Sequence, residues 1–314
     1  MPVHVNIDNF ARAESDRMFG DLAAAAGGVN RWMHVRRPTP VSGQTVIRMN
    51  RDTLYSFAVV DLSGPAAVTL PDAGDRYLSV MIVNQDHYIN TIIHAPGRHE
   101  LTAEEQGTRY VLVAARTLVD PADAADVQSV NELQDQLQLE TGESNGFEHP
   151  EYDTESLDAT RRPLLQLAGG VEGFDRTFGR REDVDPVRHL LGAAAGWGGL
   201  PETEAFYVNV SPGLPVGTYE VRVADVPVDA FWSISMYNAE GFFEQNEYDA
   251  YSVNDITATK DADGAVTVRF GTEPDGAPNF LPIGEGWNYI VRLYRPRADV
   301  LDGTWTFPGP QPVS

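Results

Sequence analysis

The hydrophobic and polar positions divide the chain into a helical lead, a β-rich stretch, a helical middle and a second β-rich stretch. Over residues 6–26, Ile7, Phe10, Met18, Phe19 and Leu22 recur at helical spacing, Asn6 or Asp8 can cap the start, and Gly27-Gly28 stops it. Residues 29–48, with Pro38 and Pro40, read as irregular. Strands are predicted over 54–61, 66–70, 76–84, 88–94 and 109–116, punctuated by Ser63-Gly64-Pro65, Pro71-Asp72 and Ala95-Pro96-Gly97. Short strands at this spacing suggest a sandwich.

Asp120-Pro121 marks the change to helix. Val127, Val130, Leu133 and Leu137 share one face over 122–139, and 141–153 is a polar loop. Residues 156–168 read as a helix whose continuity Pro163 calls into question. Asp185-Pro186 pairs an N-cap with a first-turn proline and opens a helix to about Gly196. Strands return at 205–210, 217–224, 230–237, 265–270 and 287–294, with a turn at 261–264. Their long loops fit a jelly roll better than a compact immunoglobulin-like unit. The predicted organisation is a lead-in at 1–40, a sandwich at 41–120, a helical segment at 121–200 and a jelly-roll domain at 201–314.

Composition narrows the function classes. The 314 residues suit two domains, and 42% hydrophobic residues can bury two cores. A net charge of −23 repels phosphate backbones and anionic lipid, so neither nucleic acid nor membrane is an expected partner. The chain contains no cysteine, which excludes thiolate nucleophiles, disulfides and cysteine-ligated metal sites. The N-terminus shows no signal-peptide pattern and no run approaches a membrane span, so the cytoplasm is the expected location.

The usual catalytic signatures do not occur. G-x-S-x-G, the phosphate-loop pattern, G-x-G-x-x-G after a strand and H-E-x-x-H are all missing. The glycine cluster over 192–199 reads as close helix packing. Two polar clusters at strand ends stand out. Asn84-Gln85-Asp86-His87-Tyr88 follows an almost wholly apolar strand, where polar groups need partners and His87 could serve as acid or base near neutral pH. In Asn50-Arg51-Asp52-Thr53-Leu54-Tyr55, Arg51 is a natural anion clamp with Asp52 as its natural ion partner. His87, His94 and His99 are weak metal candidates, because His87 and His94 fall on opposite faces of a regular strand. Trp232, Ile234 and Met236 share a face and read as core, while Tyr237, Asn238, Asn246, Tyr248 and Tyr251 could line a polar-aromatic pocket.

Several of these segments resemble known families. Asn50–Ser56, Asp75-Arg76-Tyr77 and the strand to Asn84 look like domain-of-unknown-function family 1254. Phe231-Trp232-Ser233, Tyr237-Asn238, Asn279-Phe280-Leu281-Pro282, Val291-Arg292-Leu293-Tyr294 and Leu301-Asp302-Gly303 look like family 1214, with Phe280 where that family usually has tryptophan. The resemblance implies a mainly β, multidomain protein: an immunoglobulin-like sandwich, a helical middle and a C-terminal jelly roll, often oligomeric. Some relatives carry hydrolase or carboxylesterase labels.

The leading expectation is an enzyme, hydrolase-like, using an activated water on a small organic molecule where the first sandwich meets the helical segment and jelly roll. In it His87 is acid or base, Asp86 or Asp52 orients it, Arg51 holds an anionic or carbonyl group and Tyr55 donates. No cofactor is predicted, though a divalent metal is compatible. One alternative is a non-catalytic module binding a small molecule or carbohydrate, with Trp287, Tyr248 or Tyr251 lining the site. The other is a metal-dependent oxidoreductase, since jelly rolls can host His/carboxylate sites.

Overall fold

The computed structural model describes residues 1–44, 47–171 and 173–313, so Thr45 and Val46 of the irregular lead-in lie outside the described residues. The chain is mainly β and forms two compact units that do not follow the linear boundaries expected above. The first comprises 1–36, 54–118 and 127–201; the second comprises 37–53, 119–126 and 202–314. The helical middle therefore belongs almost wholly to the first unit. Segment 37–53 packs with the C-terminal strands, a long-range choice that linear patterning cannot show.

The first unit opens with α1 (Phe10–Ala26). It starts later than expected, because Asn9 and not Asn6 or Asp8 takes the cap position. Gly27, left-handed at φ 75°, ends it as expected. The strands are β1 (Met33–His34), β2 (Thr53–Asp61), β3 (Ala66–Leu70), β4 (Leu78–Asn84), β5 (Ile89–Ile93) and β6 (Gly97–Leu101). After the short α2 (Ala103–Gln106) come β7 (Tyr110–Leu118), α3 (Ala124–Asp135) and β8 (Gln138–Thr141). One sheet runs β1-β2-β7-β4-β5 and the other β6-β3-β8. Both turn residues such as Val60, Val68, Val80, Leu101 and Val113 into one apolar cluster. All seven β4 residues are buried, which explains why this strand reads as a continuous apolar run.

α4 (Thr154–Ala168) is one helix despite Pro163. Its capped start and its buried Leu157 and Leu164, which pack in a cluster with Phe10 and Leu191, carry it through the missing donor. α5 (Pro186–Ala195) begins as predicted, with the Asp185 carboxylate accepting from the Val187 and Arg188 amides. The glycines in and after it are packing devices. A Cβ on Gly192 would strike Thr177, and one on Gly199 would run into the Phe178 ring.

The second unit holds β9 (Ala205–Val210), β10 (Tyr219–Val223), β11 (Trp232–Tyr237), β12 (Ser252–Asn254), β13 (Val266–Gly271), β14 (Phe280–Pro282), β15 (Asn288–Tyr294), the short α6 (Ala298–Leu301) and β16 (Gln311–Pro312). Its sheets run β14-β13-β10-β16 and β12-β11-β15-β9. They share one cluster in which Trp232, Ile234 and Met236 face Val221, Val268 and Phe270, so the predicted core face of β11 is the observed one. β15 is buried along its whole length, so its outward-facing Arg292 is buried too. No helix among the described residues is long and apolar enough to cross a membrane.

Because Gly199 leaves no room beside Phe178, Gly199→Ala should cost about 1–3 kcal/mol through overpacking. Urea denaturation would read this as a lower midpoint at unchanged slope, and an unchanged midpoint would refute the close-packing role.

Candidate functional site

The polar density of Asn84–Tyr88 goes into building a turn. The Asn84 side-chain oxygen accepts from the amides of Asp86 and Tyr88, at 3.0 and 2.9 Å. The His87 amide donates to the Asn84 carbonyl, with His87 itself left-handed at φ 65°. Gln85 turns inward, donating to Asp16 at 2.7 Å and accepting from the Tyr110 amide at 3.2 Å. The Asp86 carboxylate is engaged by Arg12 at 2.7 Å. It is therefore spent on an ion pair and does not orient His87 as expected.

His87 is fully buried. Its Nε2 accepts the Gly198 amide at 2.9 Å, so the neutral ring carries its proton on Nδ1, which has no partner among the described residues. Trp197 stacks on the ring at 5.5 Å, Phe178 meets it edge-on at 5.9 Å and His189 lies at 5.4 Å. Burial, with a smaller contribution from His189, pushes its pKa down to about 3. The ring is neutral at pH 7 and its acceptor lone pair is already committed. Asn84, Asp86 and Tyr88 do line an open cavity of about 500 Å³ with Arg180, Arg181 and Glu182, but His87 does not reach it. Tyr55, the expected donor, stacks on Phe57 at 5.6 Å and lies under the Arg116 guanidinium. His99 Nε2 donates to the Ala95 carbonyl and His94 sits beside the Tyr77 ring. Among the described residues, no group of three or more His, Asp or Glu is placed to hold a metal.

Arg51 and Asp52 lie in the second unit, on the segment that covers the outer face of β11 and β15. There the small and polar residues opposite the core face form a buried network. Asp52 accepts from Ser233 at 2.6 Å and stands 3.9 Å from Arg292. Arg292 donates to Ser235 Oγ, to the Tyr237 hydroxyl and to the Arg48 carbonyl, at 2.8, 2.9 and 2.9 Å. Tyr237 in turn donates to the Met49 carbonyl at 2.8 Å, and Asn50 donates to the Tyr294 hydroxyl at the same distance. Asp52 Oδ1 has no partner among the described residues. Burial raises the Asp52 pKa against the pull of Arg292 and Ser233. Burial alone would lower Arg292, but facing Tyr237 and Asp52 overcome it and raise its pKa. Arg51 does not pair with its sequence neighbour. It donates to the Thr39 carbonyl at 2.8 Å and lies over the Tyr251 ring, 5.1 Å from the centroid.

The network backs a cavity of about 210 Å³ in the same unit. Tyr237 and Tyr251 form aromatic walls, Met236 and Ile283 an apolar floor, and Asn238, Gln245 and Glu244 a polar rim. Phe243 braces the walls, 4.7 Å from Tyr237 and 5.9 Å from Tyr251. Four residues expected to line a pocket, Tyr237, Asn238, Asn246 and Tyr251, do line it. Trp287 instead sits in the core against Phe270, and Tyr248 packs edge-on against Phe280. Sequence reasoning missed Ser235, Arg292 and Glu244 as site residues. The available signal was a lone arginine in an apolar strand, facing serines that alternate with core residues.

Residues 29–107 match the family described as protein of unknown function DUF1254, and residues 215–298 match protein of unknown function DUF1214. The chain joins a DUF1254 region to a DUF1214 region. No curated protein matches it. Two solved structures share its fold. The VPA0106 protein from Vibrio parahaemolyticus is 18% identical with a TM-score of 0.77, each chain covered to 98%. A putative uncharacterized protein from Burkholderia cenocepacia is 17% identical with a TM-score of 0.54, covering 91% of this chain and 84% of its own. The DUF1254 residues Asn50 and Asp52 bond to DUF1214 residues: Asn50 to Tyr294, and Asp52 to Ser233. The motif residues that mark the two families thus meet in one network behind the cavity.

Two measurements follow. A histidine whose folded pKa lies near 3, below its ordinary 6.5, stabilises fully above pH 6.5 and loses that contribution as pH falls. Urea stability should therefore drop with acid by up to about 1.4 kcal/mol per pH unit from this group, and His87→Asn should make the drop shallower. An unchanged slope would assign the acid sensitivity elsewhere, with His189 and His34, also lowered by burial, the next candidates. Arg292→Met should cost about 3–5 kcal/mol by stranding Asp52. The Asp52→Asn, Arg292→Met double variant should recover at least about 1 kcal/mol of that, and strict additivity would show that the pair is not coupled.

Proposed function

We propose that this protein binds a small polar organic molecule in the 210 Å³ cavity of its second unit. The observation that carries the reading is the way Tyr237, a wall of that cavity, is tied to buried Arg292. Replacing a buried ionic network with apolar side chains is often neutral or stabilising, so such a network is poorly explained by stability alone. A wall held from behind reduces the ordering cost of binding, which makes fixed geometry its natural use.

The lining sets the ligand class. Aromatic faces and an apolar floor suit a ring or carbon skeleton, while Asn238, Gln245 and Glu244 suit hydroxyl, amide or amine groups. Glu244 and the overall charge of −23 disfavour an anion. Glu244 is the one carboxylate among the described lining residues and no histidine joins it, so binding is better supported than hydrolysis. The reading suits a jelly-roll-like sandwich, since two four-stranded sheets around one core present loops at their ends. The first unit, with two sheets around its own cluster, is read as the immunoglobulin-like partner. Homo-oligomeric assembly and a cytoplasmic setting belong to the same proposal, resting on the family resemblance and the composition.

Saturation-transfer NMR with a panel of monosaccharides, polyols and small amides should find at least one saturable ligand. Tyr251→Ala should then weaken it at least about fivefold, the equivalent of ~1 kcal/mol of lost aromatic contact. Equal affinity in the variant would refute this site, and turnover of the ligand would return the protein to the hydrolase reading.

A further inference from the structure

Beside the larger cavity, Tyr251 also walls a smaller one of about 60 Å³, lined by Arg51, Asp120, Asp249, Ser252 and Thr257. Arg51 is short of partners there. Its hydrogen bond goes to the Thr39 carbonyl, it makes no ion pair among the described residues, and its Nε is buried without an acceptor. Burial lowers its pKa, with Asp249 and Tyr251 partly opposing the shift. Asp249 shares the cavity without coming into ion-pair range of Arg51, while Asp120 already accepts the Ala122 amide at 3.0 Å.

Opposite charges held apart across a small space weaken the binding of simple ions of either sign. A lone anion would bind at Arg51 but meet the field of two carboxylates, and a lone cation would meet Arg51. A ligand carrying both charges a few ångströms apart meets a complement at each end, with the Ser252 hydroxyl available to its carboxylate, while the Thr257 hydroxyl is already donated to Asn254 at 3.0 Å. We infer that this cavity binds a small zwitterion of the α-amino-acid kind, its carboxylate on Arg51 and its ammonium on Asp249. With Nε sealed beneath the surface, the carboxylate approaches the Nη2 edge of the guanidinium. The inference goes beyond the ligand of the larger cavity and stands on Arg51 and Asp249 alone.

The test uses the full chain and saturation-transfer NMR with glycine, L-alanine and L-phenylalanine as probes, and acetate and methylammonium as half-probes. At least one zwitterion should bind saturably, and each half-probe at least tenfold more weakly. Arg51→Gln and Asp249→Asn should each weaken that binding tenfold or more, while Arg222→Gln, which removes an exposed cation elsewhere, should leave it unchanged. Should Arg51→Gln fail to fold by circular dichroism, exposed Asp249→Asn decides alone. Absence of saturable binding by all three zwitterions, acetate binding as tightly as glycine, or full affinity in Asp249→Asn would each overturn the inference.

Discussion

The second unit is organised around a cation that the chain has to bury. Arg292 lies in the middle of β15, and a strand in the middle of a sheet cannot move its side chain to water when its outer face is covered. The cover is segment 37–53, which brings the Arg48 and Met49 carbonyls and the Asp52 carboxylate to the guanidinium. A desolvated arginine without these acceptors would be costly, so the segment's path and the outer-face residues of β11 are set together. Ser233 and Ser235 leave the space, and Tyr237 closes it at one end and forms a cavity wall at the other.

The first unit meets a comparable demand by different means. Three of its buried polar groups, Gln85, Asp16 and His87, are absorbed by a turn, a helix and two amides. The result is a sealed aromatic cluster around a neutral histidine. A polar run at a strand end is thus an ambiguous signal, because the same side chains that could face a ligand can equally close a turn. Arrangement decides between them. Asn84 spends its oxygen on two amides of its own turn, whereas Arg51 bonds to one carbonyl and leaves an edge free.

Much of the fold was legible along the chain. The limits of β3 and β9 follow from turn residues and apolar runs, and α5 from its Asp-Pro start, because each of these signals acts within a few residues. The short strands β6, β8, β12, β14 and β16 were not legible, since they are held by partners far away in sequence and carry little pattern of their own. The same division applies to the site. Arg51, Asp52, Tyr237 and Tyr251 stood out as residue types, yet the expected grouping of Arg51 and Asp52 with His87 rested only on both lying in polar clusters at strand ends. Asp52 instead finds Ser233 across 181 residues.

The sequence by itself determined the β-rich character, the helical middle, the exclusion of cysteine chemistry and the motif residues of two families. These depend on composition and on periods of two or a few residues, which any segment carries within itself. Only the tertiary structure decided that 37–53 folds with the C-terminal strands, that His87 is walled in, and that Arg51 and Asp52 face different partners. Those outcomes depend on which surfaces exclude water together, a property of segments that meet only once the chain is folded.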